Sequence, residues 1–266
     1  MSLELIKQLR EKTGAGMVDC KKALEESSGD AEKAIEILRK KGIAKAAKRG
    51  ERETSEGLIL IDVNELSNEA YILEMNSETD FVARNEQFQN FSKEIMNIIK
   101  DSKPADLETL LAFSKEDMSV KESLDNLSGT IGEKLNIKRF EILSGASVAA
   151  YSHSGGKIGV LVALDQANKG DLAFDIAMQI AATDPKYLKP EEIPADEIAK
   201  EKEIYKEQLL KEGKPENIID NILEGKVKKY HEEVCLLKQE YIKDDKKKVE
   251  DILGDVNIEK FIRYSL

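Results

Sequence analysis

The sequence has no tryptophan, and its 266 residues include only two cysteines, two histidines and five prolines. Aromatic residues are scarce, at 5%. Cys20 and Cys235 are too few for a disulfide framework, so a reducing cytoplasm is the expected setting. No apolar run approaches the roughly 18 residues that would span a bilayer. The opening "MSLELIKQLR" is amphipathic and contains an acid, unlike a secretory signal or a transit peptide. Basic charge is also in deficit. A net charge of −11 argues against nucleic acid as the main partner, because phosphate binding draws on clustered Lys and Arg.

What is present is a well-charged globular chain, 41% hydrophobic and 35% charged, long enough for one or two domains with a real core. Charge is unevenly spread. Residues 1–53 carry 13 basic and 10 acidic side chains, while the rest carries 28 and 42, which sets the N-terminal part off as a separate module. Three short helices fill it. "SLELIKQLREKTG" puts Leu5, Ile6 and Leu9 on one face and closes at Gly14; the next helix buries Cys20, Ala23 and Leu24. "DAEKAIEILRKKG" starts with Asp30 as a candidate N-cap, carries Ala31, Ala34, Ile35 and Leu38 at helical spacing, and is expected to end at Gly42. A charged tether, "AKAAKRGERETSEG", follows.

The period then changes. "GLILIDVN" and "AYILEMN" read as a β-hairpin, and "EQFQNFSKEIMNIIK" reads as an amphipathic helix through Phe88, Phe91, Ile95, Ile98 and Ile99. Residues 104–130 read as helical and polar. "IKRFEIL", "ASVAAYSHSGGKIGVLVALD" and "DLAFDIAMQIAAT" repeat the theme of strand, hairpin and helix, which predicts an α+β fold of two related halves. Two charged helices joined at "EGKPEN" form a projecting hairpin with a narrow apolar seam. Periodicity leaves open whether helix continues through Val227, Tyr230, Val234 and Leu237. The closing "VEDILGDVNIEKFIRYSL" reads as a helix and a strand that returns to the second half.

A search for chemistry finds little. "SGGKIG" approaches a P-loop, but Ile158 stands where the hydroxyl should be and no Gly lies five places before Gly156, so it reads as a hairpin turn. His231 and Cys235 would share a helical face without the further ligands a zinc site needs. Cys20 reads as a small buried hydrophobe and His153 as an exposed loop histidine. No carboxylate pair stands out as an acid/base couple. The basic stretch "RKKGIAKAAKRGER" lacks interleaved aromatics and reads as solvated charge, although three helices with a basic tail could also be a nucleic-acid module. Phe81, within "NSETDFVARN", is the odd residue. It lies seven residues before Phe88, so spacing favours the core; its cap-type neighbours Ser77, Thr79, Asp80 and Asn85 favour an exposed first turn of a helix.

"TGAGMVDCKKAL", "NSETDFVARN", "IGEKLNIKRF" and "YSHSGGKIGVLVAL", in this order and at this spacing, resemble the elongation factor Ts family, the nucleotide exchange factors of elongation factor Tu. The resemblance implies a ubiquitin-associated-like three-helix domain with its tether (1–53), a two-part α+β core (54–142, then 143–190 with 230–266) and an inserted coiled-coil hairpin (191–229). It implies that helix stops near Tyr230. It also implies that Thr79, Asp80, Phe81 and Val82 dock on the GTPase domain of elongation factor Tu, where the ring disturbs the Mg²⁺ site so that GDP leaves, with the factor staying bound until GTP rebinds. Met17, Val18 and Lys21 would touch the same domain, and Ile131 and His153 would lie on the core's contact surface; the partner would be engaged through its GTPase domain and a further domain. The family acts without a cofactor, metal or catalytic site of its own, and no direct nucleic-acid contact is expected. A homodimer is compatible with the sequence. Val18 stands where some members have a second Met, and the chain ends at "FIRYSL", where some continue into a further helix. The competing reading is an adaptor that binds protein or RNA without exchange activity.

Overall fold

Short helices need caps and a shared core, and the N-terminal helices have both. A computed structural model describes residues 2–47, 49–115 and 118–266. Lys48 of the expected tether, and Glu116 and Asp117 of the segment expected to be helical, lie outside the described residues. Helix α1 (Leu3–Thr13) begins where the Ser2 hydroxyl accepts from the Glu4 N–H and ends at Gly14 in the left-handed region. Helix α2 (Met17–Glu26) follows, and α3 (Ala31–Ala47) begins where Asp30 accepts from the Lys33 N–H (3.1 Å). Ile6, Leu9, Cys20, Ala23, Leu24 and Ala34 form their core. Leu5 and Ile35, expected inside, are exposed (38% and 36%). Helix α3 does not stop at Gly42.

The rest is an α+β fold in which one plan is used twice. Strands β1 (Glu56–Val63) and β2 (Glu69–Ser77) form an antiparallel hairpin. Then come α4 (Asp80–Ala83), α5 (Glu86–Ser102), α6 (Leu107–Ala112), a small ribbon of β3 (Ser114–Lys115) and β4 (Met118–Ser119), and α7 (Val120–Ile131). Strand β5 (Leu135–Ser144) returns antiparallel beside β2, giving the order β1-β2-β5. The second half repeats this with the hairpin β6 (Ser147–His153) and β7 (Ile158–Leu164), helix α8 (Gly170–Thr183) and a late strand that returns beside β7.

Successive side chains of a strand point to opposite faces, so the two central strands each feed two cores. From β2, Tyr71, Leu73 and Met75 face α5, while Ala70 and Ile72 face the second sheet. From β7, Val160, Val162 and Leu164 face α8, while Leu161 and Ala163 face the first sheet. The layers therefore run helix, sheet, sheet, helix. A bulge sharpens the join. Glu74 pairs with Arg139 and Met75 with Ile137, so Lys138 is the extra residue and both cations reach the fully buried Glu74 (2.8 and 2.7 Å). Burial alone would raise the Glu74 pKa, but these bonds and one from Asn76 hold it below the ordinary carboxylate range. Arg139 also lies over the Tyr264 ring, 3.8 Å from its centre, and so binds one half to the other.

Between α8 and the returning strand stand α9 (Ala195–Lys211) and α10 (Glu216–Val234), an antiparallel helical pair with Leu209 and Ile219 buried in its seam. Both Glu197 carboxylate oxygens accept phenol hydroxyls at its base, from Tyr187 (2.7 Å) and from Tyr230. Helix persists one turn past Tyr230, to Val234, and stops where the Val234 carbonyl accepts the N–H groups of Lys186 and Tyr187. A 3₁₀ turn (Leu236–Lys238), β8 (Glu240–Tyr241), β9 (Asp244–Lys248), α11 (Val249–Leu253) and β10 (Ile258–Ser265) complete the chain, with β10 beside β7 as expected.

Helix α3 passes Gly42 because that glycine is a crossing point. A Cβ on Gly129 of α7 would stand 2.5 Å from the Gly42 Cα and 2.9 Å from its carbonyl oxygen. The pair Arg39–Glu122 (3.1 Å) flanks the crossing. The N-terminal helices are thus docked on α7. Gly129→Val should force α3 off α7, with an overpacking cost of about 1–3 kcal/mol that exceeds any gain in helix propensity. Urea unfolding checks this; an unchanged midpoint would show that the crossing is loose.

Candidate partner-binding site

The stretch around Phe81 is built by one local cap and one long-range clamp. Asn85 starts α5 by accepting from the N–H groups of Gln87 (2.8 Å) and Phe88 (3.3 Å). The helix that carries Phe88 therefore does not include Phe81. Phe81 belongs to α4, a separate single turn with Thr79 at its N-cap position. Within that turn Val82 points inward, only 8% exposed and packed in the first core, while the neighbouring ring of Phe81 points outward, 80% exposed. Phe88 is fully buried. Asp80 pairs with Arg84 (2.8 Å) on the exposed side.

The clamp comes from residues 131–135. Thr79 donates twice to the Glu133 carboxylate, from its N–H to Oε2 (3.0 Å) and from its hydroxyl to Oε1 (2.7 Å). Glu78 accepts from the Lys134 N–H (2.6 Å) and from the Arg52 guanidinium (3.2 Å). The Lys134 N–H, with Arg52 adding, holds the Glu78 carboxyl below its ordinary range. Lys134 Nζ in turn donates to the carbonyls of Gly50 and Arg52, each at 2.8 Å. The connection to the N-terminal helices is thereby tied to the same loop. Nothing in the sequence marks Glu78, Glu133 or Lys134 as functional, because the bonds join residues more than fifty apart; only their presence inside two resemblance motifs hinted at them.

The other expected contact residues lie on separate elements. Ile131 ends α7 two residues before Glu133 and is half-buried against the first core. Gly14, which leads into α2, lies against Gln87 and Thr130. Met17 and Val18 are exposed at the start of α2 (37% and 65%), and Lys21 is exposed beside Glu25. A groove of about 570 Å³ separates α4 from the β6–β7 turn, with Asp80 and Ala83 on one wall and Ser152 and Ser154 on the other. That turn is "SGGK", with Ser154, Gly155 and Gly156 all in the left-handed region, as a hairpin requires. His153 is exposed on the face away from the groove serines and bonds the Tyr151 hydroxyl through Nδ1 (3.1 Å); Tyr151 meets Phe174 edge to face. The structure therefore joins Thr79–Val82 to the Ile131 end of α7 and sets Met17, Val18 and Lys21 in the neighbouring module. It gives His153 a different cluster.

Cys20 and Cys235 are buried, and burial pushes both thiols up, Cys235 to about 11. Among the described residues no group of three or more His, Cys, Asp or Glu side chains is placed to hold a metal ion, and no helix is long and apolar enough to cross a membrane. A family model described as Elongation factor TS matches residues 78–266, most of the chain, beginning two residues before α4. The chain belongs to the elongation factor TS family, a family of translation elongation factors.

Proposed function

We propose that this member binds elongation factor Tu carrying GDP and accelerates GDP release by disturbing the partner's Mg²⁺ and nucleotide site, staying bound until GTP rebinds. One observation carries the reading: a phenylalanine is 80% exposed on a short turn that is clamped from outside. Large apolar side chains are usually buried when the chain can manage it, and Val82 beside it is. In this reading Phe81 enters the GTPase domain with Asp80 beside it, while Thr79 and Val82 hold the turn. Met17, Val18 and Lys21 give a second contact, and Ile131 beside the turn and His153 in its own cluster belong to the core's contact surface; the partner's GTPase domain and a further domain are both engaged. The N-terminal helices act as the ubiquitin-associated-like module (1–53). The hairpin of α9 and α10 acts as a coiled-coil insert between the two parts of the second half, and the protein works in the cytoplasm.

The chemistry needs no catalytic side chain. A protein that binds the nucleotide-free partner better than the GDP-bound one must weaken GDP binding by the same factor. Equilibrium titration of elongation factor Tu with fluorescent GDP tests this. Saturating protein should weaken GDP binding by roughly 5–150-fold, the range of a coupling of about 1–3 kcal/mol, and GDP should weaken protein binding equally. Tight binding of the two proteins with unchanged GDP affinity would favour the adaptor reading.

A further inference from the structure

Helix α4 cannot hold itself. It has four residues, and its two i-to-i+4 bonds are long: Ala83 N–H to the Thr79 carbonyl (3.4 Å) and Arg84 N–H to the Asp80 carbonyl (3.2 Å). An isolated turn is far below the length at which helix is stable in water. Its N-cap residue makes no capping bond of its own, and the Thr79 hydroxyl donates to Glu133.

We infer that Glu133 is a positioning residue for Phe81, its carboxylate fixing the end of the turn that carries the ring. The two bonds it accepts are charge-assisted and fork across one residue, so they set direction as well as distance. Glu133 is itself held. Its carbonyl accepts the hydroxyl of buried Ser128 (2.6 Å), whose own carbonyl accepts from Arg49 (3.1 Å). The next residue, Lys134, is fixed through its N–H to Glu78 and through Nζ to Gly50 and Arg52. The carboxylate therefore stands on the end of α7, outside the segment it orients. Val82 anchors the turn from below. Without Glu133 the turn would keep that anchor and lose its direction, leaving Phe81 exposed in a spread of orientations.

The kinetic consequence rests on the exchange reading above; the structural one does not. Two measurements separate them. The first is stopped-flow release of fluorescent GDP from elongation factor Tu over a range of factor concentrations. Loss of two charge-assisted bonds in Glu133→Ala should lower the maximal release rate at least about tenfold while the half-saturating concentration moves less than about threefold, since the other contacts remain. Glu133→Gln keeps one acceptor oxygen and should recover part of the rate. A residue that served only stability would lower the melting temperature and leave the maximal rate of the folded protein intact.

The second is hydrogen exchange on the free protein. The amides of Ala83 and Arg84 should exchange about tenfold faster in Glu133→Ala, with those of mid-α5 unchanged, as for local opening of one unit. If Glu133→Ala fails to fold by circular dichroism, Glu133→Gln carries both measurements. If the wild-type protein does not accelerate release at all, the exchange reading falls and hydrogen exchange alone decides for Glu133. A full maximal rate in a folded variant, or unchanged protection of α4, overturns the inference.

Discussion

Phe81→Ala should leave the folded protein almost as stable as before and slow GDP release severely. The ring is 80% exposed, so its truncation is a surface change, worth less than about 0.5 kcal/mol. What is lost lies in the complex. Burying a Phe side chain is worth about 1.5–3 kcal/mol. If that energy is realised where the partner's nucleotide site opens, its loss slows release by roughly 10–150-fold at saturating factor, since each 1.36 kcal/mol is tenfold. If Met17, Val18 and the core surface bind the partner as proposed, binding through them should persist. A melting curve and a release trace on the same preparation check both halves.

Phe88→Ala should do the opposite. This ring, seven residues on, is fully buried in the first core with Leu73, Ile95 and Leu110. Removing it leaves a cavity and costs about 3–5 kcal/mol. At roughly 2–4 °C per kcal/mol for a chain of this size, the melting temperature should fall by about 6–20 °C. Below that temperature the folded fraction should still release GDP at close to the normal rate, because α4 is a separate turn held at Thr79 by Glu133. A Phe88→Ala protein that melts normally, or a stable one that fails to exchange, would merge the two roles that Asn85 keeps apart.

That pair of residues shows where the sequence is legible and where it is not. Local chemistry reads well. Asp30 caps α3, the "ELSNE" and "SGGK" stretches turn hairpins, and the β-type runs "GLILIDVN" and "GVLVAL" form strands. The two halves repeat one plan because each needs the same cover for a central strand buried on both faces. Spacing failed at Phe81 because a seven-residue interval implies a shared face only within one helix, and Asn85 restarts the helix between the two rings. It failed at Gly42 because a glycine that ends helices in isolation here admits a second helix backbone, a fact held at Gly129. Leu5 and Ile35 lie at the edge of a small three-helix core with too little surface to cover them. Residues 104–130, read as polar helix, also bury Leu110, Val120 and Leu124 and contain a short ribbon.

The candidate site was legible in its display and illegible in its support. Polar cap residues around an aromatic ring can be read from ten letters. Glu133 and Lys134 cannot, since their partners at Glu78 and Thr79 are set by the return of β5 beside β2. The helical pair ends likewise on a tertiary event: the stripe through Val227, Tyr230 and Val234 stops where Lys186 and Tyr187 meet the Val234 carbonyl.

The central claim is that Phe81 frees GDP by disturbing the partner's Mg²⁺ site, and one comparison tests it most directly. Release of fluorescent GDP from elongation factor Tu is followed with wild-type protein and with Phe81→Ala, each with Mg²⁺ present and after chelation. The account predicts a large defect for Phe81→Ala in Mg²⁺ that shrinks to a few-fold or less once the metal is removed, because chelation then does what the ring does. A defect of equal size with and without Mg²⁺, or no defect in either, would contradict it.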